Sequence, residues 1–332
     1  MKNDGARLIA AKIHESRRIA VTSHLRPDGD SICTALAFYE MGRLLGKEVE
    51  LINKDRIPFP FHDVPEIDRI RIGSIPPDGF DIVILLECAN VPRSGQEDIE
   101  AYFKINIDHH HSNDYYADIN WVNPQAAAVG CMGYVLGMEL GVTITPQIAN
   151  HLYCAIVSDT GSFQFSNTGA EAFEICSRLV GCGADPPFVS DFLYNRNSPQ
   201  KIMLLGEVLS TLKMNDRGNI AVVTMFRKFL DRFEQKEIDT EDITTLVRSI
   251  KGLEMVLFFK EIGDNTYRVS LRSKGGANSA LVAEHFGGGG HVHAAGFTIT
   301  GRHADLIKNI PAQVSRILDD LQQTGIPGKT RS

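Results

Sequence analysis

The stretch Ile19-Ala20-Val21-Thr22-Ser23-His24-Leu25-Arg26-Pro27-Asp28-Gly29-Asp30 joins an apolar run to one histidine and two carboxylates. Its first five residues read as a short buried strand, and Ser31–Leu45 reads as a helix. Pro27 and Gly29 interrupt regular structure between the two. His24, Asp28 and Asp30 therefore lie on a strand-to-helix loop, at the carboxyl end of a strand, where open α/β sheets build their sites. Asp108-His109-His110 repeats the arrangement directly after the strand-like run Lys104–Ile107. Imidazole and carboxylate together suit a hard-to-borderline divalent metal rather than an iron–sulfur cluster or a structural zinc. Either cluster alone is compatible with a polar loop; two of them at strand ends point to a metal site.

Around these clusters strand and helix patterns alternate. Further strand-like runs at Glu48–Asn53 and Asp81–Leu86, with helical patterns at Ala128–Leu140, Pro146–Val157 and Ala170–Val180, predict a mostly parallel sheet with helices on both faces. Ile82-Val83-Ile84-Leu85-Leu86 has no polar face, as a strand covered on both sides requires. From Asp185 to Met214 the pattern is helical, punctuated by Pro186, Pro187 and Pro199. The turn Asn215-Asp216-Arg217-Gly218 then opens a second region. It carries strands at Asn219–Met225, Glu254–Lys260, Thr266–Arg272 and Ala295–Thr300, and helices near Glu241–Lys251, Asn278–Phe286 and Ala304–Gln322. The expectation is a two-domain α/β protein. Residues 1–195 form the metal-binding domain, 196–215 a helical linker, 216–324 a smaller α/β domain with a mixed sheet, and 325–332 a disordered tail.

The composition fits this reading. Apolar residues make up 43% of the 332 and charged residues 23%, ordinary for a globular protein with substantial cores. No stretch approaches the length of a membrane span, and the first residues lack the apolar core of a signal peptide. Six scattered cysteines without a C-x-x-C pair read as reduced core thiols, so the expected location is cytoplasmic and no membrane partner is expected. A formal charge of −7 argues against a broad grip on long double-stranded nucleic acid, but not against a short anionic substrate.

Two further acidic positions complete the cluster, both read as strand ends. Glu87 follows Asp81–Leu86, and Asp159 ends the apolar segment Tyr153–Ser158. Carboxylates beside apolar runs are costly unless paired or bound to a cation. For Asp159 a helix cap or a turn in Asp159-Thr160-Gly161 is the competing reading. His24, Asp28, Asp30, Glu87, His109 and Asp159 supply two imidazoles and four carboxylates, too much negative charge for one metal and suited to two ions sharing a bridging carboxylate. Two divalent ions roughly 3.5–4 Å apart can activate a water and clamp a phosphoryl group. Mixed oxygen and nitrogen ligands favour manganese, with magnesium, cobalt or iron as alternatives.

His24-x-x-x-Asp28-x-Asp30, Glu87, Asp108-His109-His110 and Asp159 resemble, in this order, the motifs of the DHH phosphoesterase superfamily. Val269-Ser270-Leu271-Arg272-Ser273 followed by Gly287-Gly288-Gly289-Gly290-His291-x-x-Ala294-Ala295-Gly296 is similar to its DHH-associated C-terminal domain. The layout most resembles the bifunctional nanoRNase/pAp-phosphatase branch. That resemblance implies hydrolysis of very short oligoribonucleotides to mononucleotides and of 3′-phosphoadenosine 5′-phosphate, and a homodimer. It also implies that His24 and Asp28 hold one ion, that Asp30, His109 and Asp159 hold the other, and that Glu87 bridges them. His110 would face the scissile phosphate as donor or general acid, with Asp108 orienting it. The family usually has aspartate where this chain has Glu87, which puts bridging geometry in question. A cyclic-dinucleotide or linear-dinucleotide signalling phosphodiesterase is the nearest rival, and a nucleotide sensor that has lost catalysis is the rival of another class.

In the second domain, four successive glycines most often mean a flexible linker. Here Asn278 can cap a helix that Gly287 ends, and a strand follows, so the run reads as a held loop whose amides approach a phosphate. Arg272, Ser273, Lys274, Gly288, Gly289, Gly290 and His291 are the expected substrate-binding residues. Arg272 supplies a bidentate fork and Lys274 a point charge. The competing reading of Arg272 is a plain surface cation. The resemblance implies that this domain holds the terminal 5′ part of the substrate, so that reach limits length.

Overall fold

The computed structural model describes residues 4–59, 61–233 and 241–323, and the side chains of Glu241, Asp242, His291, Gln322 and Gln323 lie outside that description. The chain divides between Arg196 and Asn197 into two compact units. The expected tail at 325–332 lies outside the described residues.

The first unit opens with helix α1 (Asp4–Glu15), then strand β1 (Arg18–Ser23), helix α2 (Gly29–Leu44) and strand β2 (Glu48–Asn53). Strands β3 (Ile70–Ile72) and β4 (Ile82–Leu86), the short helix α3 (Val91–Ser94), and strands β5 (Phe103–Asp108) and β6 (Ile119–Val122) come next. Helices α4 (Val129–Glu139), α5 (Pro146–Asp159), α6 (Ala170–Gly181) and α7 (Pro186–Tyr194) complete it. The six strands form a fully parallel sheet in the order β3-β2-β1-β4-β5-β6. In β4, Ile82, Ile84 and Leu86 face one apolar cluster while Val83 and Leu85 face another, so both surfaces of the sheet are covered. Apolar burial on both faces is why this strand shows no alternation. The edge strands β3 and β6 carried no pattern in the sequence because three and four residues are too few to show one.

The second unit holds helix α8 (Pro199–Leu209), strands β7 (Lys213–Met214) and β8 (Ile220–Met225), and helices α9 (Arg227–Arg232) and α10 (Glu241–Arg248). Then come strands β9 (Met255–Gly263) and β10 (Thr266–Ser273), helix α11 (Ser279–His285), strands β11 (Gly289–His291) and β12 (Ala294–Thr300), and helix α12 (His303–Gln323). The sheet order is β11-β12-β10-β9-β8-β7, with β8 and β9 parallel and the other pairs antiparallel. Helix α8, expected as a connector, packs Leu204 and Val208 into the core of this unit beside Val223 and Phe258. The expected glycine loop is shorter than the sequence suggested. Gly289–His291 is an edge strand paired with β12, because Gly289↔Gly296 and His291↔Ala294 are in register.

Candidate metal centre

A parallel sheet in this order reverses its winding between β1 and β4, and a crevice opens there at the carboxyl ends of the strands. Because β1, β4 and β5 are adjacent, the residues just past their ends meet in space: His24 after β1, Glu87 after β4, and His109 after β5. Asp28 is the N-cap of α2. Its Oδ1 accepts from Ser31 N at 3.1 Å, and its own N–H donates to Ser31 Oγ at 3.2 Å. That reciprocal cap fixes Asp28 with Oδ2 3.4 Å from His24 Nε2, and Glu87 Oε2 lies 3.7 Å from the same nitrogen. One donor atom each from His24, Asp28 and Glu87 lie within 4.8 Å of one another, and so do donors from Asp30, Glu87 and His109. Glu87 belongs to both groups.

The histidines are held in the tautomer a metal ligand needs. His24 Nδ1 bonds the Leu25 carbonyl at 2.9 Å, and His109 Nδ1 bonds the Ala126 carbonyl at 3.1 Å. A carbonyl only accepts, so each Nδ1 carries the hydrogen and each Nε2 offers a lone pair toward the carboxylates. Asp30 is more than a ligand candidate. Its Oδ2 accepts from Val129 N at 2.6 Å, and its Oδ1 accepts from Gly130 N at 2.8 Å and from Thr34 Oγ1 at 3.2 Å. It thereby caps α4, whose own N-cap position, Ala128, has no side chain to do so.

Asp159 is not a strand end. It is the last residue of helix α5, which packs along α2 and so carries it to the crevice. Its Oδ2 lies 3.8 Å from His109 Nε2 and accepts from Asn167 Nδ2 at 3.1 Å. Asn167 was not anticipated, and neither was Asn113, whose Nδ2 donates to Asp108 Oδ2 at 2.6 Å. The spacing of Asn113 behind the histidine run was the only sequence signal for it.

The electrostatics call for cations. Glu87 is 2% exposed, sits at φ +56°, and its Oε1 is buried with no hydrogen-bond partner among the described residues. Burial first, then the charges of Asp28, Asp30 and Asp159, push its carboxyl well above the ordinary range. Burial and the neighbouring Asp30 charge push Asp159 up to about 7, and burial also raises Asp30. Asp28 goes the other way: burial opposes its ionisation, but the hydrogen bond and charge of His24 outweigh it. An orphaned buried oxygen, like charges in contact and two preset imidazole lone pairs all fit divalent ions held by these residues.

Beside this group His110 Nδ1 stands 2.6 Å from Asp108 Oδ1, and the His110 N–H donates to the same oxygen at 3.0 Å. The hydrogen bond that His110 donates to Asp108 raises the imidazole pKa, while His110 and Asn113 lower Asp108 against the effect of its burial.

In the second unit the expected residues separate. Arg272 and His291 lie in one row of the sheet, each paired with Ala294 on β12, and Arg272 Nη1 donates to the Leu271 carbonyl at 3.2 Å. The side chain of His291 lies outside the described residues. Ser273 is 1% exposed and donates Oγ to the Ala277 carbonyl at 2.7 Å, so its hydroxyl ties the turn instead of meeting a phosphate. Lys274 Nζ donates to the Arg248 and Ile250 carbonyls at 2.9 and 3.0 Å, closing the end of α10 rather than standing as a free point charge. Gly287 ends α11 at φ +74°, while Gly288 and Gly290 press against β12. Close strand packing thus explains two of the glycines.

Residues 18–156 match the DHH family, N-terminal domain, and residues 218–324 match the DHHA1 domain. Among characterised proteins, the chain is 32% identical over 287 residues to the bifunctional oligoribonuclease and PAP phosphatase NrnA of Thermus thermophilus, covering 86% of each chain. It is 31% identical over 291 residues to the protein of the same name from Bacillus subtilis, covering 85% of this chain and 89% of that one. A solved exopolyphosphatase-related protein from Bacteroides fragilis superposes with a TM-score of 0.84 at 23% identity, over 96% of this chain and 97% of that one.

Proposed function

This chain belongs to the DHH family, and on that premise we propose that it is a divalent-metal-dependent phosphoesterase. It hydrolyses short oligoribonucleotides to mononucleotides and 3′-phosphoadenosine 5′-phosphate to AMP. The observation that carries the reading is Glu87, buried at the sheet's switch point and shared by two groups of metal-ligating side chains. In this reading the unit up to Arg196 is the catalytic domain, and the unit from Asn197, which includes the helix expected as a connector, is the substrate-binding domain.

His24 and Asp28 would hold one ion and Asp30, His109 and Asp159 a second, with Glu87 within reach of both; oxygen and nitrogen ligands together favour manganese. When bound, such a pair supplies an activated water and a clamp on the phosphoryl oxygens. The chain's own groups do the rest. Asp108 fixes His110 and favours its protonated form, so that His110 donates to the departing ribose oxygen. Asp30 locks the amino end of α4 to α2 and keeps the crevice from relaxing. Arg272, with Gly288 to Gly290 and His291 beside it in the sheet, grips the terminal phosphate of the substrate. No helix among the described residues is long and apolar enough to cross a membrane. The functional species is a homodimer in the cytoplasm.

The test is product release by the purified protein with manganese, comparing a 5′-phosphorylated RNA dinucleotide, a longer RNA, 3′-phosphoadenosine 5′-phosphate and cyclic di-AMP. Rapid conversion of the dinucleotide and of 3′-phosphoadenosine 5′-phosphate, with the longer RNA slow, is the expected result. Turnover of the cyclic dinucleotide alone would replace the assignment with a signalling phosphodiesterase. No turnover of any substrate by metal-loaded protein would make the chain a sensor.

A further inference from the structure

Directly after Asp159 the chain makes a turn that L-residues avoid. Gly161, Ser162 and Phe163 take successive left-handed conformations at φ +54°, +56° and +64°. The turn is held from below by the fully buried Thr160. Its Oγ1 donates to the Ile156 carbonyl at 2.6 Å and accepts from Phe163 N at 3.2 Å, and its own carbonyl accepts from Phe165 N at 3.0 Å. Ser162 N–H reaches back to the Val157 carbonyl at 2.8 Å. The Phe163 ring stacks on Phe173 with centroids 5.0 Å apart and anchors the turn at its side.

The product of this construction is the placement of one ring. Phe165 lies flat against Gly161, where a Cβ would come within 2.6 Å of its Cε1, so only glycine admits it. It nevertheless remains 48% exposed. Two residues further on, Asn167 ties the chain back to the Oδ2 and main-chain oxygen of Asp159, each at 3.1 Å. A half-exposed aromatic packed on Gly161 therefore lies between Asp159 and Asn167, which bonds back to that metal-site carboxylate.

We propose that Phe165 is a stacking platform for a nucleobase of the substrate, an inference that rests on the phosphoesterase reading above. A base is one ribose away from the phosphate it accompanies, so a phosphate held at the carboxylate group brings its base to this loop. A nucleobase presents a neutral π-face, the chemistry that a half-exposed aromatic ring matches. Stacking is tolerant of base identity, which suits a substrate defined by length rather than by sequence.

The test pairs kinetics with binding that needs no turnover. Phe165→Ala should raise KM for the RNA dinucleotide roughly 5- to 150-fold, the range expected for losing one stacked base, with kcat changed far less. Phe165→Trp should restore KM. With calcium in place of manganese to stop turnover, F165W fluorescence should be quenched by AMP, above any change seen for Trp121 in the wild-type protein. If wild type cleaves the dinucleotide but F165A keeps its KM and F165W is not quenched, the platform is wrong and the enzyme assignment stands. Quenching by AMP in a protein that cleaves none of the nucleotides would keep the platform and overturn the enzyme.

Discussion

Nδ1 of His110 is 2.6 Å from Oδ1 of Asp108, a carboxylate with no exposed surface, and Asn113 occupies the other oxygen of that carboxylate at 2.6 Å. A carboxylate fixed on both sides sets the orientation and charge of the imidazole without touching substrate. His110→Gln should therefore lower kcat on the dinucleotide by roughly 10²–10⁴, the usual contribution of a general acid. Asp108→Asn should cost less, about 10–100-fold, because it disturbs orientation and leaves the imidazole in place. Manganese binding, followed by calorimetry, should survive both changes. A His110→Gln enzyme that keeps full kcat would remove His110 from the chemistry.

Glu87 lies among Asp28, Asp30 and Asp159 with one oxygen unpaired, so its position costs stability until cations arrive. Wild-type protein should therefore gain about 2.7 kcal/mol when manganese is raised to a hundred times its Kd, and lose that gain in EDTA. Glu87→Gln keeps the shape and removes one carboxylate. Its metal-free melting temperature should match or exceed that of wild type, and its gain with manganese should be largely abolished. Glu87→Asp shortens the arm by one methylene and tests whether its length sets turnover. Equal manganese gains in wild type and the glutamine variant would deny Glu87 a shared role.

Much of the site was legible because it sits at strand ends. A buried strand broken by Pro27 and Gly29 announces where His24 and Asp28 must lie, and β5 does the same for His109. Asp159 reads in the sequence as a strand end, whereas in the fold it closes helix α5. An apolar run such as Tyr153–Ser158 fits a strand or a buried helix equally well until its length is known. Asn167, Asn113 and the trans cap from Asp30 to Val129 were invisible for a different reason: each contact is made by tertiary packing and leaves no periodic trace. Ser273 and Lys274 read as phosphate contacts in the sequence and in the fold tie local carbonyls, since a polar side chain next to a strand end can do this as readily as it can meet a ligand.

The glycine hairpin separates backbone from binding. Gly290 sits at φ +148°, and a Cβ there would lie 2.5 Å from Ala295 Cα and 2.6 Å from the Ala294 carbonyl oxygen. Backbone cannot yield as a side-chain tip can, so Gly290→Ala should destabilise the second unit by about 1–3 kcal/mol. Nothing lies within 4 Å of a Cβ at Gly289, and Gly289→Ala should change stability by less than about 1 kcal/mol. Chemical denaturation of the two variants provides the comparison. Equal losses would mean that β11 does not pair with β12 in this register.

His151 gives the fold a pH dependence away from the metal residues. It is 2% exposed on α5, its Nε2 donates to the Pro65 carbonyl at 3.1 Å, and its Nδ1 is buried with no hydrogen-bond partner among the described residues. Burial lowers its pKa from the ordinary 6.5, against the opposing pull of the Pro65 carbonyl and the Glu66 and Glu40 charges. The folded protein therefore resists a proton that the unfolded chain accepts. Stability from this source is complete above pH 6.5 and falls as the pH drops from there through the folded-state value, at no more than ~1.4 kcal/mol per pH unit. Gln can keep the donor to Pro65 and does not titrate. His151→Gln should accordingly be less stable than wild type at pH 7.5, with the gap closing toward pH 5 when melts are run in EDTA. A gap that stays constant across that range would show that His151 enters and leaves the fold without a change in protonation.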